Sequence, residues 1–313
     1  MDVVLLFPGQ GSQKPGMGKD LADSFPAARA VFAAADKALG VPLSQLCFNG
    51  PLDELTLTQN AQPALLAHGA AAWAVLKDDV GPRVRAAAGH SLGEFTAYHA
   101  AGSLSLEDAL TLVRRRGELM YEAGVARPGA MAAVLGEPTT PVGKICEVAS
   151  REAGLVVPAN YNCPGQVVIS GEPAGVDRAM VMLKEAGAKR AIRLNVSGAF
   201  HSPLMADAAP GLEAALNAAK VGDPGFPVYA NVDAMPVTDA KSARRRLLDQ
   251  LSSPVRWTEE IAMMSAEYPD ALYLELGPGS VLCGLVKKIA PSVRTMSCGT
   301  AAEVHNVRAL LAA

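Results

Sequence analysis

Aromatic side chains are scarce, 5% of 313 residues, with 7 Phe, 6 Tyr and 2 Trp. An interior built with so few must be filled mainly by Ala, Leu and Val. An excess of one charge is lacking too: 28 Lys and Arg face 31 Asp and Glu, for a net charge of −3. No global basic field exists to hold nucleic acid or a membrane surface, so an acidic partner would have to meet a local basic patch. The five cysteines, Cys47, Cys146, Cys163, Cys283 and Cys298, are scattered and form no C-x-x-C pair. Neither a disulfide framework nor a zinc site is indicated, and a reducing cytoplasm fits best. The longest apolar stretch, Ala64 to Leu76, carries His68 and falls short of the ~18 residues a spanning helix needs. No charged leader precedes the first apolar run, which stops at Pro8, so no signal peptide is expected.

What is present is a globular composition, 50% hydrophobic and 19% charged, which excludes a disordered chain. The length exceeds the roughly 100–200 residues of one ordinary domain, so a large domain or a large domain with an insert is expected. Val3 to Phe7 reads as a buried strand feeding the polar, Gly-rich loop Pro8 to Gln13. Helices are expected over Ala27 to Leu39, stopped by Gly40, and over Gln62 to Lys77. A short apolar run, Arg85 to Gly89, leads through Ser91 to helix-like residues Glu94 to Ala101. Ser105 to Ala123 is the strongest helix, with Ser105 and Asp108 spaced as in a capping box. Its apolar arc holds Leu106, Ala109, Leu110, Val113, Met120 and Tyr121. Arg116 falls inside that arc, whereas Arg114 and Arg115 fall outside it.

The rhythm then changes. Strands are expected over Ala130 to Leu135, Leu155 to Ala159, Val167 to Ser170 and Lys189 to Leu194, with helices over Pro141 to Glu152 and Pro173 to Ala186. The order β-α-β-β-α-β is that of a ferredoxin-like unit, long enough to be a self-contained insert. Beyond it come a helix around Leu204 to Ala219, a strand Val228 to Asn231, a helix Ala240 to Leu251, a strand Leu272 to Leu276 and a helix Val281 to Ile289. No internal repeat or low-complexity tract interrupts this α/β pattern.

Gly89-His90-Ser91-Leu92-Gly93 matches G-x-S-x-G between an expected strand and an expected helix, the context of a nucleophile elbow. The alternative is a Gly-Ser turn that merely caps a helix. A serine nucleophile needs a base, and the five histidines are His68, His90, His99, His201 and His305. His68 and His99 sit within expected helices. His90 neighbours the serine but would point elsewhere, and His305 lies in the polar approach to the C-terminal tail. His201 follows the last strand of the insert, where the chain re-enters the main domain, and is the favoured base. It precedes the place a standard hydrolase triad would put its histidine. Arg116 is the one charge in an apolar arc. It serves either an internal salt bridge or a bidentate clamp for a substrate carboxylate. No metal-ligating cluster is apparent, and Gly9-x-Gly11 is not a dinucleotide fingerprint.

Together these features resemble the malonyl-CoA:acyl-carrier-protein transacylases of bacterial fatty-acid synthesis. The resemblance rests on Phe7 to Gln13, Gly89 to Glu94, Arg115-Arg116-Gly117, Asn160 to Gln166, Gly198 to Ser202, Asp249 to Leu251 with Pro254 to Trp257, and Glu275 to Gly279, seven motifs in the right order over almost the whole chain. It implies an α/β-hydrolase-like large domain, residues 1–127 and 197–313, with a ferredoxin-like subdomain over 128–196. It further implies a Ser91–His201 dyad, with His201 oriented by a backbone carbonyl near Gln250, and an oxyanion hole from the backbone N–H groups of Gln10 and Leu92. Arg116 would clamp the malonyl carboxylate, with Phe200, Gln250 and Asn160 also in the substrate site. No bound cofactor is implied. The substrate is malonyl-CoA, and the phosphopantetheine arm is carried by an acidic, transiently bound acyl carrier protein. A cytoplasmic monomer that binds neither nucleic acid nor membrane is expected. Lys287-Lys288 is a candidate docking patch, whereas Lys189-Arg190 reads better as a solvated edge. The alternatives are a stand-alone acyltransferase of a polyketide assembly line, an acyl hydrolase and a non-catalytic carrier-binding module.

Overall fold

A computed structural model describes residues 1–196 and 198–312. Ten strands are present among them: β1 (Val3–Phe7), β2 (Val84–Gly89), β3 (Ala130–Leu135), β4 (Val156–Cys163), β5 (Gln166–Gly171), β6 (Arg190–Arg193), β7 (Val228–Tyr229), β8 (Pro236–Val237), β9 (Leu272–Leu276) and β10 (Arg294–Cys298). They form two sheets.

The first sheet has the order β10-β9-β1-β2-β7-β8 and is parallel apart from the antiparallel β7–β8 pair. Its central strand β1 is apolar at every position because both faces are covered. Successive side chains point to opposite faces. Val3, Leu5 and Phe7 therefore join the larger core with the helices Pro26–Leu39, Thr58–Val80, Leu92–Ala100 and Leu106–Ala126, while Val4 and Leu6 join the core of Trp257–Glu267 and Val281–Ile289. The second sheet, β4-β5-β3-β6, is antiparallel and packs Ala132, Val134 and Ile169 on the helices Val142–Ala153 and Pro173–Glu185. This is the expected ferredoxin-like order. The second main-domain segment was expected to start at residue 197 and end at 313; both of these residues lie outside the described ones.

Several boundaries differ from the sequence reading, each for a physical reason. The two middle strands of the insert were read as ending at Ala159 and starting at Val167. They form one hairpin instead, with β4 running on through Cys163 to a tight turn at Pro164-Gly165. The polar stretch Asn160–Cys163 is held as strand because both of its edges are paired. Asn160 pairs with Val168 on one side and bridges Val255 on the other, where Tyr161 N–H donates to Val255 O at 2.9 Å. This bridge ties the small sheet to the main domain beside the cleft. The helix read around Leu204 to Ala219 is a 3-10 turn, Pro203–Ala208, followed by a helix Ala209–Ala218 that Pro210 helps to start. Val228–Tyr229 ends before Asn231, which turns inward. Tyr121, placed on the apolar arc, is exposed. The helices Trp257–Glu267 and Ala301–Ala312 and the half-buried edge strand β10 were not read from the sequence. His305 consequently sits on a helix, with its ring 5.9 Å from that of Phe25.

The Thr58–Val80 and Leu106–Ala126 helices touch backbone to backbone at Gly117. A Cβ there would sit 2.6 Å from Gln59 Cα and 2.8 Å from Thr58 O. Gly117→Ala should therefore lose about 1–3 kcal/mol of stability in urea unfolding, although alanine favours helix by about 1 kcal/mol. A stabilised variant would show that the two helices can separate without cost.

Candidate active site

Ser91 stands between the end of β2 and the start of the Leu92–Ala100 helix, with φ 53° and ψ −111°. An L-residue adopts such a backbone only when its surroundings impose it. The flanking glycines allow the turn: a Cβ on Gly89 would run into the Gly93 backbone, and one on Gly93 into the carbonyl of Phe7. Leu92 opens its helix, so its N–H has no intrahelical acceptor, and the residue lines the cavity. Gln10, in the loop after β1, lines the same cavity, and its side-chain Oε1 accepts from Thr58 Oγ at 2.9 Å.

His201 is buried and has φ 57°. Its turn is fixed by Ser202 Oγ, which donates to Ala199 O at 2.6 Å. The ring Nδ1 faces two backbone carbonyls, Gln250 O at 3.0 Å and Ser253 O at 3.2 Å. A carbonyl only accepts, so Nδ1 carries the proton and Nε2 presents its lone pair. That nitrogen lies 2.7 Å from Ser91 Oγ. Burial, then the nearby Arg116 charge, lowers the His201 pKa to about 3. The imidazole is therefore neutral, in the form that can take a proton from serine.

Arg116 projects from the middle of the Leu106–Ala126 helix and is 1% exposed. Nη1 donates to Gln62 Oε1 at 2.7 Å; Nη2 donates to Gln250 Oε1 at 2.9 Å and to Ser91 Oγ at 3.1 Å. The guanidinium lies over the Phe95 ring at 5.6 Å. Nε has no partner, and no ion pair among the described residues includes this arginine. Burial lowers its pKa to about 10, so it remains a cation at neutral pH. The internal salt bridge weighed from the sequence is thus absent among the described residues.

Ser91, His201, Arg116, Gln10, Phe200 and Asn160 border a single cavity of about 400 Å³ between the two sheets, and Leu92 is at its floor. Gln250, grouped with them from the sequence, is wholly buried behind Arg116; its Nε2 donates to Ser91 O at 3.0 Å and to Glu94 Oε2 at 2.7 Å. The other histidines are occupied elsewhere: His90 with Asn162 Oδ1 at 2.8 Å, His68 with Gly299 O at 2.9 Å, and His99 with Leu104 O at 3.1 Å. Sequence reading missed Gln62, Asn231 and Glu260 beside the site. Carboxamides follow no catalytic pattern, and Glu260 sits on the unread helix. Among the described residues, no group of three His, Cys, Asp or Glu could hold a metal, and no helix is long and apolar enough to cross a membrane.

Known proteins resemble this chain in sequence and fold over its whole length. A family model described as acyl transferase domain matches residues 4–305. The malonyl CoA-acyl carrier protein transacylase of Bacillus subtilis is 48% identical over 295 residues, covering 94% of this chain and 92% of its own. The crystal structure of the acyl-carrier-protein-S-malonyltransferase from Bartonella henselae superposes with a TM-score of 0.94 at 42% identity, covering 100% of both chains. A type II PKS acyl-carrier protein in complex with its malonyl-transacylase gives 0.93 at 40% identity, covering 99% of this chain and 100% of that one.

The lowered His201 pKa sets a pH expectation for acylation of Ser91. An unperturbed imidazole would lose roughly fifteenfold of its neutral form between pH 6.5 and 5. With His201 neutral down to about pH 3, the single-turnover rate of thiol release from an acyl-CoA should fall less than about threefold over that range. A loss that follows an ordinary histidine titration would contradict the neutral base.

Proposed function

The chain belongs to the acyl transferase domain family, and on that premise we propose that it moves the malonyl group from malonyl-CoA to the phosphopantetheine thiol of an acyl carrier protein, supplying fatty-acid synthesis. The observation that carries this reading is the Arg116 guanidinium, buried 3.1 Å from Ser91 Oγ with hydrogen bonds to neutral side chains only. A buried cation without an anion is costly, and a substrate carboxylate supplies the anion. One methylene separates the malonyl carboxylate from its thioester carbonyl, so a group held by Arg116 brings that carbonyl to Ser91.

Ser91 Oγ attacks the thioester carbonyl while His201 Nε2 takes the hydroxyl proton. The backbone N–H groups of Gln10 and Leu92 receive the developing oxyanion. The C–S bond breaks, and the departing CoA sulfur takes the proton from His201. The malonyl-serine ester remains. The carrier's thiol then gives its proton to His201 and attacks the ester carbonyl, and Oγ leaves with that proton restored. The two half-reactions make the kinetics ping-pong. Phe200 and Asn160 shape the cavity around the acyl group and the arm, and Gln250 holds Arg116 and the Ser91 carbonyl. Residues 128–196 act as a subdomain that closes one side of the cleft. In this reading the enzyme works as a cytoplasmic monomer without a resident cofactor, and the phosphopantetheine arrives on the partner.

The carrier is acidic and binds transiently. Lys287 and Lys288 are exposed at the end of the Val281–Ile289 helix, and the Lys288 charge reaches Cys163, which pairs with the cavity residue Gln166. In this reading the two lysines form a positive patch that steers an acidic partner. Lys189 and Arg190 lie at the edge strand β6, where charge discourages sheet-to-sheet association.

Intact-mass measurement should find one malonyl adduct after mixing with malonyl-CoA, none on Ser91→Ala, and loss of the adduct to added holo carrier protein. An adduct that decays to free malonate without reaching a carrier would make the protein a hydrolase. Arg116→Ala should lose about a hundredfold of the malonyl-over-acetyl preference; an unchanged preference would remove the clamp. Lys287→Glu with Lys288→Glu should raise KM for the carrier about tenfold at low salt, and much less at about 0.5 M salt, with a smaller change in KM for malonyl-CoA.

A further inference from the structure

Three wholly buried polar residues, Asn231, Glu94 and Glu260, lie directly beneath the nucleophile and exchange no proton with the substrate in the transfer described above. Asn231 follows β7 and turns its carboxamide under the elbow. Its Oδ1 accepts from Ser91 N–H at 2.7 Å, and its Nδ2 donates to Gly89 O at 2.8 Å and to Glu260 Oε1 at 3.0 Å. The amide thus spans the turn, holding a backbone donor on one side of His90 and a backbone acceptor on the other. Its orientation is fixed by chemistry: an N–H faces Oδ1, and a carbonyl and a carboxyl oxygen face Nδ2. Its own backbone N–H donates to Glu94 Oε2 at 3.0 Å, and Gln250 Nε2 reaches the same Oε2 at 2.7 Å. Asn231 is therefore pinned at both its main chain and its side chain.

We propose that Asn231 is a positioning residue for the transfer reaction: its carboxamide clips the strained turn at Ser91 and holds Oγ in line with His201. The proposal rests on the reading of Ser91 as the nucleophile. The backbone at Ser91 has φ 53° and ψ −111° and is sustained only while its surroundings over-determine it. Asn231 holds Ser91 N–H and Gly89 O, while Gln250 Nε2 holds Ser91 O and Phe7 O holds His90 N–H; among the described residues no other side chain holds Ser91 N–H. An aliphatic residue would leave a buried donor and a buried acceptor unpaired, and glutamine would overshoot by a methylene. Glu94 and Glu260 serve the clip as its anchors. Each has one carboxyl oxygen on Asn231 and the other without a partner among the described residues. Burial, and for Glu260 the neighbouring Glu94, raise their pKa values, to about 7 for Glu94 and well above the usual range for Glu260. The anchors can therefore accept from the amide without burying two full charges.

The test compares the wild-type chain with Asn231→Ala and Asn231→Asp, the latter keeping an oxygen for Ser91 N–H while removing both amide donors. Acylation by malonyl-CoA is followed in single turnover, and Ser91 is separately titrated with a fluorophosphonate, which needs no malonyl group. For Asn231→Ala, both the acylation rate and the phosphonylation rate are expected to fall about a hundredfold, with KM for malonyl-CoA within about threefold because Arg116 is untouched. Asn231→Asp should fall by an intermediate amount, and it carries the test if Asn231→Ala does not fold. Rates within about threefold of wild type in folded variants, accompanied only by a lowered melting temperature, would reduce Asn231 to a structural hydrogen bonder and overturn the proposal. Loss confined to KM would overturn it as well. A fall in phosphonylation with no malonyl transfer in any form, wild type included, would keep the positioning role and defeat the transferase reading alone.

Discussion

A guanidinium taken out of water without an anion beside it costs several kcal/mol, and the fold around the cleft is built to hold one in that condition. Arg116 reaches the cleft because Gly117 lets its helix lie against the Thr58–Val80 helix with no side chain between them. That contact brings Gln62 to Nη1, while Gln250 comes to Nη2 from the end of the Ala240–Asp249 helix. Both partners are neutral. They orient the charge without pairing it; Glu94, which acts on it electrostatically, bonds Gln250 Nε2 rather than the guanidinium. The same cation reaches the elbow, because Nη2 also donates to Ser91 Oγ.

The same cation keeps the dyad in working order. Burial, reinforced by Arg116, holds His201 neutral, and two backbone carbonyls hold its proton on Nδ1. The orienting work that an aspartate performs in a full triad is done here by main-chain oxygens. An aspartate beside His201 would place an anion near Arg116 and compete for its charge. Carbonyl dipoles avoid that competition.

Two sheets enclose this chemistry. The parallel sheet delivers the Gln10 loop and the Ser91 elbow from adjacent strands, at the ends where such folds place their sites. The antiparallel sheet closes the opposite side through β4, whose second edge bridges Val255. A cavity walled in this way limits the access of water to Ser91.

The sequence by itself determined the alternating α/β order, the ferredoxin-like insert and the strand–turn–helix at Ser91, because periodicity, glycines and caps are local. The apolar arc that contains Arg116 was legible for the same reason, since 100° per residue fixes which side chains share a helix face. Seven motifs in order identified the family. What only the tertiary structure decided is distance. The 2.7 Å between Ser91 and His201 joins residues 110 apart in the chain, and no local rule sets it. The Asn231 clip, the two carbonyls behind His201 and the neutral partners of Arg116 were equally invisible, because a carboxamide or a backbone carbonyl carries no signature until folding places it. The continuation of β4 through Asn160–Cys163 was hidden as well: a polar strand is stabilised by pairing at both edges, and one of those partners, Val255, lies far away in sequence.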